Sequence, residues 1–129
     1  MAPHFLLSGE ATFSAAHTLP GVDMCDRLHG HNWRFRLTVR VAASGLDPTG
    51  MGVDFRVLER TARDIADTFE HRYLNELPAF REAPPSAERI AQVICLEAQQ
   101  RLAGIAAASA VEEVELWEMP QYRVIYRPA

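Results

Sequence analysis

Residues 31–42 read His-Asn-Trp-Arg-Phe-Arg-Leu-Thr-Val-Arg-Val-Ala, and this stretch limits the fold more tightly than any other. Trp33, Phe35, Leu37, Val39 and Val41 share one parity, while Arg34, Arg36, Thr38 and Arg40 share the other. A two-residue period belongs to a strand with one buried and one wetted face. Residues 5–17 repeat the pattern, with Phe5, Leu7, Ala11, Phe13 and Ala15 set against Ser8, Glu10, Thr12 and Ser14. Pro20-Gly21 opens the loop between them. Neighbouring strands joined by a loop most simply pair antiparallel.

The rest of the chain changes period. After a turn at Asp47-Pro48-Thr49-Gly50, Asp54 is placed to cap a helix in which Phe55, Leu58, Ala62, Ile65 and Phe69 recur at helical spacing. That helix is expected to end between Glu70 and Leu74. Pro78 and Pro84-Pro85 mark a connection, and Ser86 caps a second helix to about Leu102, with Ile90, Val93, Ile94 and Leu102 as its stripe. Gly104 and the small residues 106–110 close it. Strands at 111–118 and 122–127, separated by Met119-Pro120-Gln121, finish the chain. Strand pairs flanking a helix pair predict an α+β domain spanning residues 1–129, with a four-stranded antiparallel sheet and two helices on one face.

Charge narrows the partners. The net charge is −4 and all 13 basic residues are Arg, so no overall basic field favours nucleic acid or an anionic membrane surface. No apolar stretch has the length of a membrane span, and the opening residues do not read as a secretory signal. The two cysteines, Cys25 and Cys95, do not form a disulfide framework; Cys95 lies in a helical apolar pattern and reads as core. A cytoplasmic protein is expected.

The five histidines are not spread evenly. His17 continues the apolar parity of the first strand, and His29 and His31 extend that of the second. A hairpin brings these strand ends together, so three imidazoles converge at one rim of the sheet under the loop carrying Cys25. Buried imidazoles need partners, and a divalent cation supplies one to all three. Three His without a fourth protein ligand is the pattern of catalytic zinc, which keeps a position open for water or substrate. Other residues stay ambiguous at this level. His71 at a helix end is a dipole partner or a catalyst, and Glu118 is a strand-end surface carboxylate or a buried acceptor. His4 receives no role.

Several segments together resemble one family, the 6-pyruvoyl-tetrahydropterin and 6-carboxytetrahydropterin synthases. "FSAAH" at 13–17 resembles its segment for the first zinc ligand. "CDRLHGHNW" at 25–33 is similar to the segment for the cysteine and the other two ligands. "GMGVDF" at 50–55, "HRYLN" at 71–75, "PPSAERIA" at 84–91 and "ELWE" at 115–118 follow in the family's order. The resemblance covers essentially the whole chain. It implies the tunnelling fold, in which several copies close a barrel, commonly a homohexamer with active sites between subunits.

The resemblance also implies roles. His17, His29 and His31 would hold Zn2+; Cys25 would act as base; His71, oriented by Glu70, would be the second proton-transfer group; and Glu118 would bind the pterin. The implied substrate is 7,8-dihydroneopterin triphosphate. Three residues separate Cys25 from His29, as in the short bacterial enzymes that form 6-carboxy-5,6,7,8-tetrahydropterin with release of acetaldehyde and triphosphate, in 7-deazaguanine biosynthesis of the queuosine or deazapurine type. The alternatives are a 6-pyruvoyl-tetrahydropterin synthase, which keeps the side chain, and a non-catalytic pterin- or purine-binding relative. This chain departs from the family pattern at Glu70, where Asp is usual, at Met119, where Thr is usual, and at Ser86, which also replaces Thr. The triphosphate requires cations; Arg27 is the nearest in sequence, and that subsite carries no assignment.

Overall fold

A computed structural model describes residues 2–106 and 108–129. The elements run β1 (His4–His17), β2 (His29–Ala42), α1 (Phe55–Phe69), β3 (Arg72–Tyr73), α2 (Ala87–Ala103), β4 (Ser109–Met119) and β5 (Tyr122–Tyr126). The sheet order is β3-β1-β2-β4-β5. Four long strands pair antiparallel, as the alternation predicts. The fifth, β3, is only two residues long and runs parallel to β1. It is too short to show any period, which is why the sequence pattern misses it.

The expected faces are largely correct. Trp33, Phe35, Leu37, Val39 and Val41 are all fully buried. Phe13 stacks on its register partner Trp33, with ring centroids 5.9 Å apart, and sits 5.2 Å from Phe69 of α1. Burying side chains of this size contributes about 1.5–3 kcal/mol each, so this cluster dominates the core. Helix α1 lies over β1 and α2 over β4 and β5. Gly9 allows the first contact, because a Cβ there would meet Leu58 Cβ at 3.2 Å. The Asp54 and Ser86 side chains accept hydrogen bonds from the backbone N–H groups of Arg56 and Arg89, each cap stabilising its helix by about 1 kcal/mol.

Three expectations need correction. β2 begins at His29 rather than residue 31, so His29 and Gly30 are strand residues. α1 stops at Phe69, because His71 adopts φ 56° and its N–H donates to the Ser14 carbonyl instead of continuing the helix. Phe55 is 66% exposed and does not join the core. It borders a shallow apolar cleft of 280 Å³ with Phe5 and Met51, beyond the end of the covered sheet.

The other sheet face is charged and paired. Glu10 accepts from Arg34 and Arg36; Glu115, almost fully buried, accepts from Arg36 and Arg123; and Arg40 binds Glu112. The Arg34 guanidinium also lies 3.7 Å from the centre of the Trp117 ring. These arginines are held by carboxylates and an aromatic face.

Candidate metal centre

The antiparallel register sets His17 directly opposite His29, and Ala15 opposite His31. Strand alternation turns all three imidazoles to the side occupied by Trp33. The ring centroids of His17, His29 and His31 are 4.5–5.3 Å apart, and one nitrogen from each comes within 4.8 Å of the others. Trp33 forms the floor, its ring lying edge-on 5.1 Å from His17 and 5.2 Å from His31. The Trp33 Nε1–H donates to the Ala15 carbonyl and so cannot compete for the imidazoles.

Second contacts orient the rings. His17 Nδ1 lies 2.7 Å from the Pro85 carbonyl, and His29 Nδ1 lies 2.7 Å from the Arg27 carbonyl. A carbonyl only accepts, so in both rings Nδ1 carries the proton and Nε2 presents a lone pair. His17 is fully buried, yet its Nε2 and that of His31 have no hydrogen-bond partner. Orphaned buried nitrogens are costly, and two of them beside the Nε2 lone pair of His29 fit a bound cation. The donor set, all imidazole, suits a borderline-soft transition metal such as zinc rather than calcium or magnesium.

Burial pushes the imidazoles of His17 and His31 below their ordinary value of 6.5, with His29 adding to the shift and Glu118 opposing it. Both rings are therefore neutral near pH 7, the form that binds metal. The metal-free protein has a corresponding pH dependence. The unfolded chain protonates these histidines near pH 6.5, whereas the folded chain resists until lower pH. Between those limits the unfolded state binds more protons, so stability is full above the window and falls as pH drops through it. The melting temperature of metal-free protein is expected to fall on going from about pH 7.5 to 5.5. A flat profile over that range would contradict neutral buried rings.

The remaining sequence-identified residues fall into two groups. Glu118 joins the histidines: its two carboxylate oxygens lie 3.8 Å from His17 Nε2 and 3.7 Å from His31 Nε2. It also lines a 330 Å³ cleft with Leu19, Ser86 and Tyr122, at the start of α2. Cys25 is partly buried in the loop that joins His17 to His29, a loop tied by hydrogen bonds from Leu19 N–H to the Cys25 carbonyl and from Asp26 N–H to Val22. Glu70 and His71 sit elsewhere. His71 Nε2 is 3.2 Å from Glu70 Oε1, and that oxygen also accepts from the Ser14 N–H at 3.2 Å. The His71 side chain is 83% exposed, above a 440 Å³ cleft lined by Ser14, Gly30 and Asn32 among others. His31 and Ala15 line the same cleft, which joins the Glu70–His71 pair to one edge of the histidine cluster.

Sequence reasoning did not find the carbonyls of Pro85 and Arg27. Both are backbone groups, one 68 residues from His17 and the other two residues from His29, and no residue-type signal marks them.

Known proteins place this arrangement in context. The curated 6-carboxy-5,6,7,8-tetrahydropterin synthase of Bacillus subtilis is 30% identical over 130 residues, covering 96% of this chain and 86% of its own. That of Synechocystis is 34% identical over 116 residues, covering 86% of each chain. Among solved structures, the Caenorhabditis elegans 6-pyruvoyl tetrahydropterin synthase superposes with a TM-score of 0.82 at 22% identity, over 99% of this chain and 98% of its own. The Plasmodium falciparum 6-pyruvoyl tetrahydropterin synthase gives 0.77 at 18% identity, over 96% and 97%. These superpositions show the chain fold of that family, which the resemblance implied and the strand and helix order fits. The family model described as 6-pyruvoyl tetrahydropterin synthase matches residues 6–129, from the start of the first strand through the His cluster to the last residue, and the chain belongs to that family.

Proposed function

We propose that the protein is a zinc-dependent lyase that converts 7,8-dihydroneopterin triphosphate to 6-carboxy-5,6,7,8-tetrahydropterin, releasing acetaldehyde and triphosphate. The observation that carries this reading is the convergence of three imidazoles, two of them with orphaned buried Nε2 atoms, in a chain 30–34% identical to curated 6-carboxytetrahydropterin synthases. Those relatives and the three-residue spacing between Cys25 and His29 support the carboxy-forming outcome over triphosphate elimination alone.

Each residue then has a task. His17, His29 and His31 hold zinc, which when bound supplies Lewis acidity toward the oxygens of the substrate side chain and makes the adjacent C–H bonds more acidic. Cys25 accepts a proton from that carbon, in a loop anchored at both ends by metal ligands. Glu118 accepts from the pterin amino group and neighbouring ring N–H, a donor pair that a carboxylate takes up bidentately. His71 moves the second proton, and Glu70 holds its ring; the longer Glu side chain here spans the 3.2 Å contact that the family usually makes from Asp.

The positions of these groups favour an assembled enzyme. The His71 side chain is exposed and lies outside the group of metal-site histidines, so a second copy of the chain can supply Glu70 and His71 to each centre. This agrees with a homo-oligomer, a hexamer by family analogy, whose product enters 7-deazaguanine biosynthesis. Purified zinc-loaded protein incubated with 7,8-dihydroneopterin triphosphate is expected to release acetaldehyde and triphosphate in equal amounts. Triphosphate without acetaldehyde would replace this reading with pyruvoyl formation, and neither product would leave a pterin-binding relative.

A further inference from the structure

We propose that Glu118 is a fourth protein ligand of the metal in the resting protein and releases it only when an incoming ligand takes that position. The inference rests on the reading of His17, His29 and His31 as a metal centre, and it gives Glu118 a role in addition to binding the pterin.

The first argument concerns donors and acceptors. The Pro85 carbonyl fixes the His17 proton on Nδ1, so the fully buried Nε2 presents a lone pair. An ionised carboxylate is also acceptor-only. Two acceptors therefore face each other across 3.8 Å, and the other Glu118 oxygen lies 3.7 Å from the orphaned Nε2 of His31. A cation placed among these groups satisfies all of them.

The second argument is distance. Donors 2.0–2.1 Å from a tetrahedral zinc stand about 3.4 Å from one another. Glu118 Oε2 stands 3.8 Å from His17 Nε2 and Oε1 3.7 Å from His31 Nε2, each within a few tenths of an ångström of that spacing, so the carboxylate borders the cluster where a fourth donor would approach.

The third argument is the backbone. β4 and β5 pair Trp117 with Arg123 and Met119 with Tyr122, so Glu118 is the extra residue of a bulge. A bulge re-aims a side chain without breaking the sheet, and such bulges gather near active sites. Here the aim is toward the histidines. Glu118 also borders the cleft beside the start of α2, so the same carboxylate has an alternative position against whatever enters that cleft. A centre closed by Glu118 at rest is shielded from water and stray anions, and opens only to a ligand that offers Glu118 its own donors.

Zinc affinity, measured by competition with a chromophoric chelator, tests this without turnover. Glu118→Gln is expected to weaken zinc binding by about 10–100-fold while the metal-free melting temperature stays at the wild-type value. A crystal structure of zinc-loaded wild-type protein without substrate is expected to show a Glu118 oxygen about 2.0–2.2 Å from the metal. Equal affinities in wild type and variant, or a carboxylate more than about 3 Å from bound zinc, would overturn the assignment and leave the three-His centre intact. Wild-type protein that binds no zinc at all would instead remove the metal reading on which both depend.

Discussion

Replacing His29 with alanine is expected to empty the metal centre while leaving the fold in place. His29 offers the cleanest ligand deletion of the three. His17 is fully buried between Trp33 and the Pro85 carbonyl, and its loss would open a cavity and free a buried acceptor. His29 is only partly buried, and its second contact is the carbonyl of Arg27 in a loop. Deleting it should cost about 1 kcal/mol or less of metal-free stability. Binding is another matter: with one of the three imidazoles gone, only two His donors remain beside the Glu118 carboxylate, and the weakened site is expected to lose the ion through dialysis. Elemental analysis should therefore find zinc in wild-type protein and in His4→Ala, and almost none in His29→Ala. Zinc retained at wild-type content in His29→Ala would refute the ligand set.

The second large effect concerns Cys25 and His71. A positioned acid or base contributes about 10²–10⁴-fold to rate, so Cys25→Ala and His71→Ala should each lose activity by that order while keeping zinc. The two losses should complement. If each centre draws Cys25 from one chain and His71 from another, random assembly of equal amounts of the two variants leaves roughly a quarter of the sites with both groups intact. Activity recovered after the mixed chains are unfolded and reassembled together is the expected result. No recovery would place both groups in the same chain's site and overturn the shared-site reading. Retained activity in both single variants would point to a non-catalytic relative.

The conformation of His71 adds a cost consistent with this role. A non-glycine residue at φ 56° is strained by about 1–3 kcal/mol, and glycine is the usual choice one residue past a helix end. The strain sets the imidazole outward beside Glu70, where a partner chain can reach it. The alternation of hydrophobic residues could not show this, because it reports which face is buried and not which backbone region a residue occupies.

Much of the site was legible because strands are periodic. Parity alone placed His17, His29 and His31 on the face of Trp33, and the hairpin reading placed them at one end. Glu118 shared the parity of Val114 and Leu116, but that pattern left a surface carboxylate equally open. The carboxylate's approach to His17 and His31 Nε2, at 3.8 and 3.7 Å, decided the matter, and that depends on how distant strands pack. Phe55 failed for a related reason: helical spacing aligned it with Leu58 and Ile65, while the covered sheet ends before it.

Local order in the chain thus determined the strands, the helices, their caps and the face each histidine takes, since those follow from the spacing of neighbours along a backbone. Tertiary structure alone decided that the Pro85 carbonyl fixes the His17 proton, where the Glu118 carboxylate points, and that the Ser14 N–H holds Glu70. Those facts depend on contacts between segments 50 or more residues apart. Their energies are set by burial and direction, which no spacing along the chain encodes.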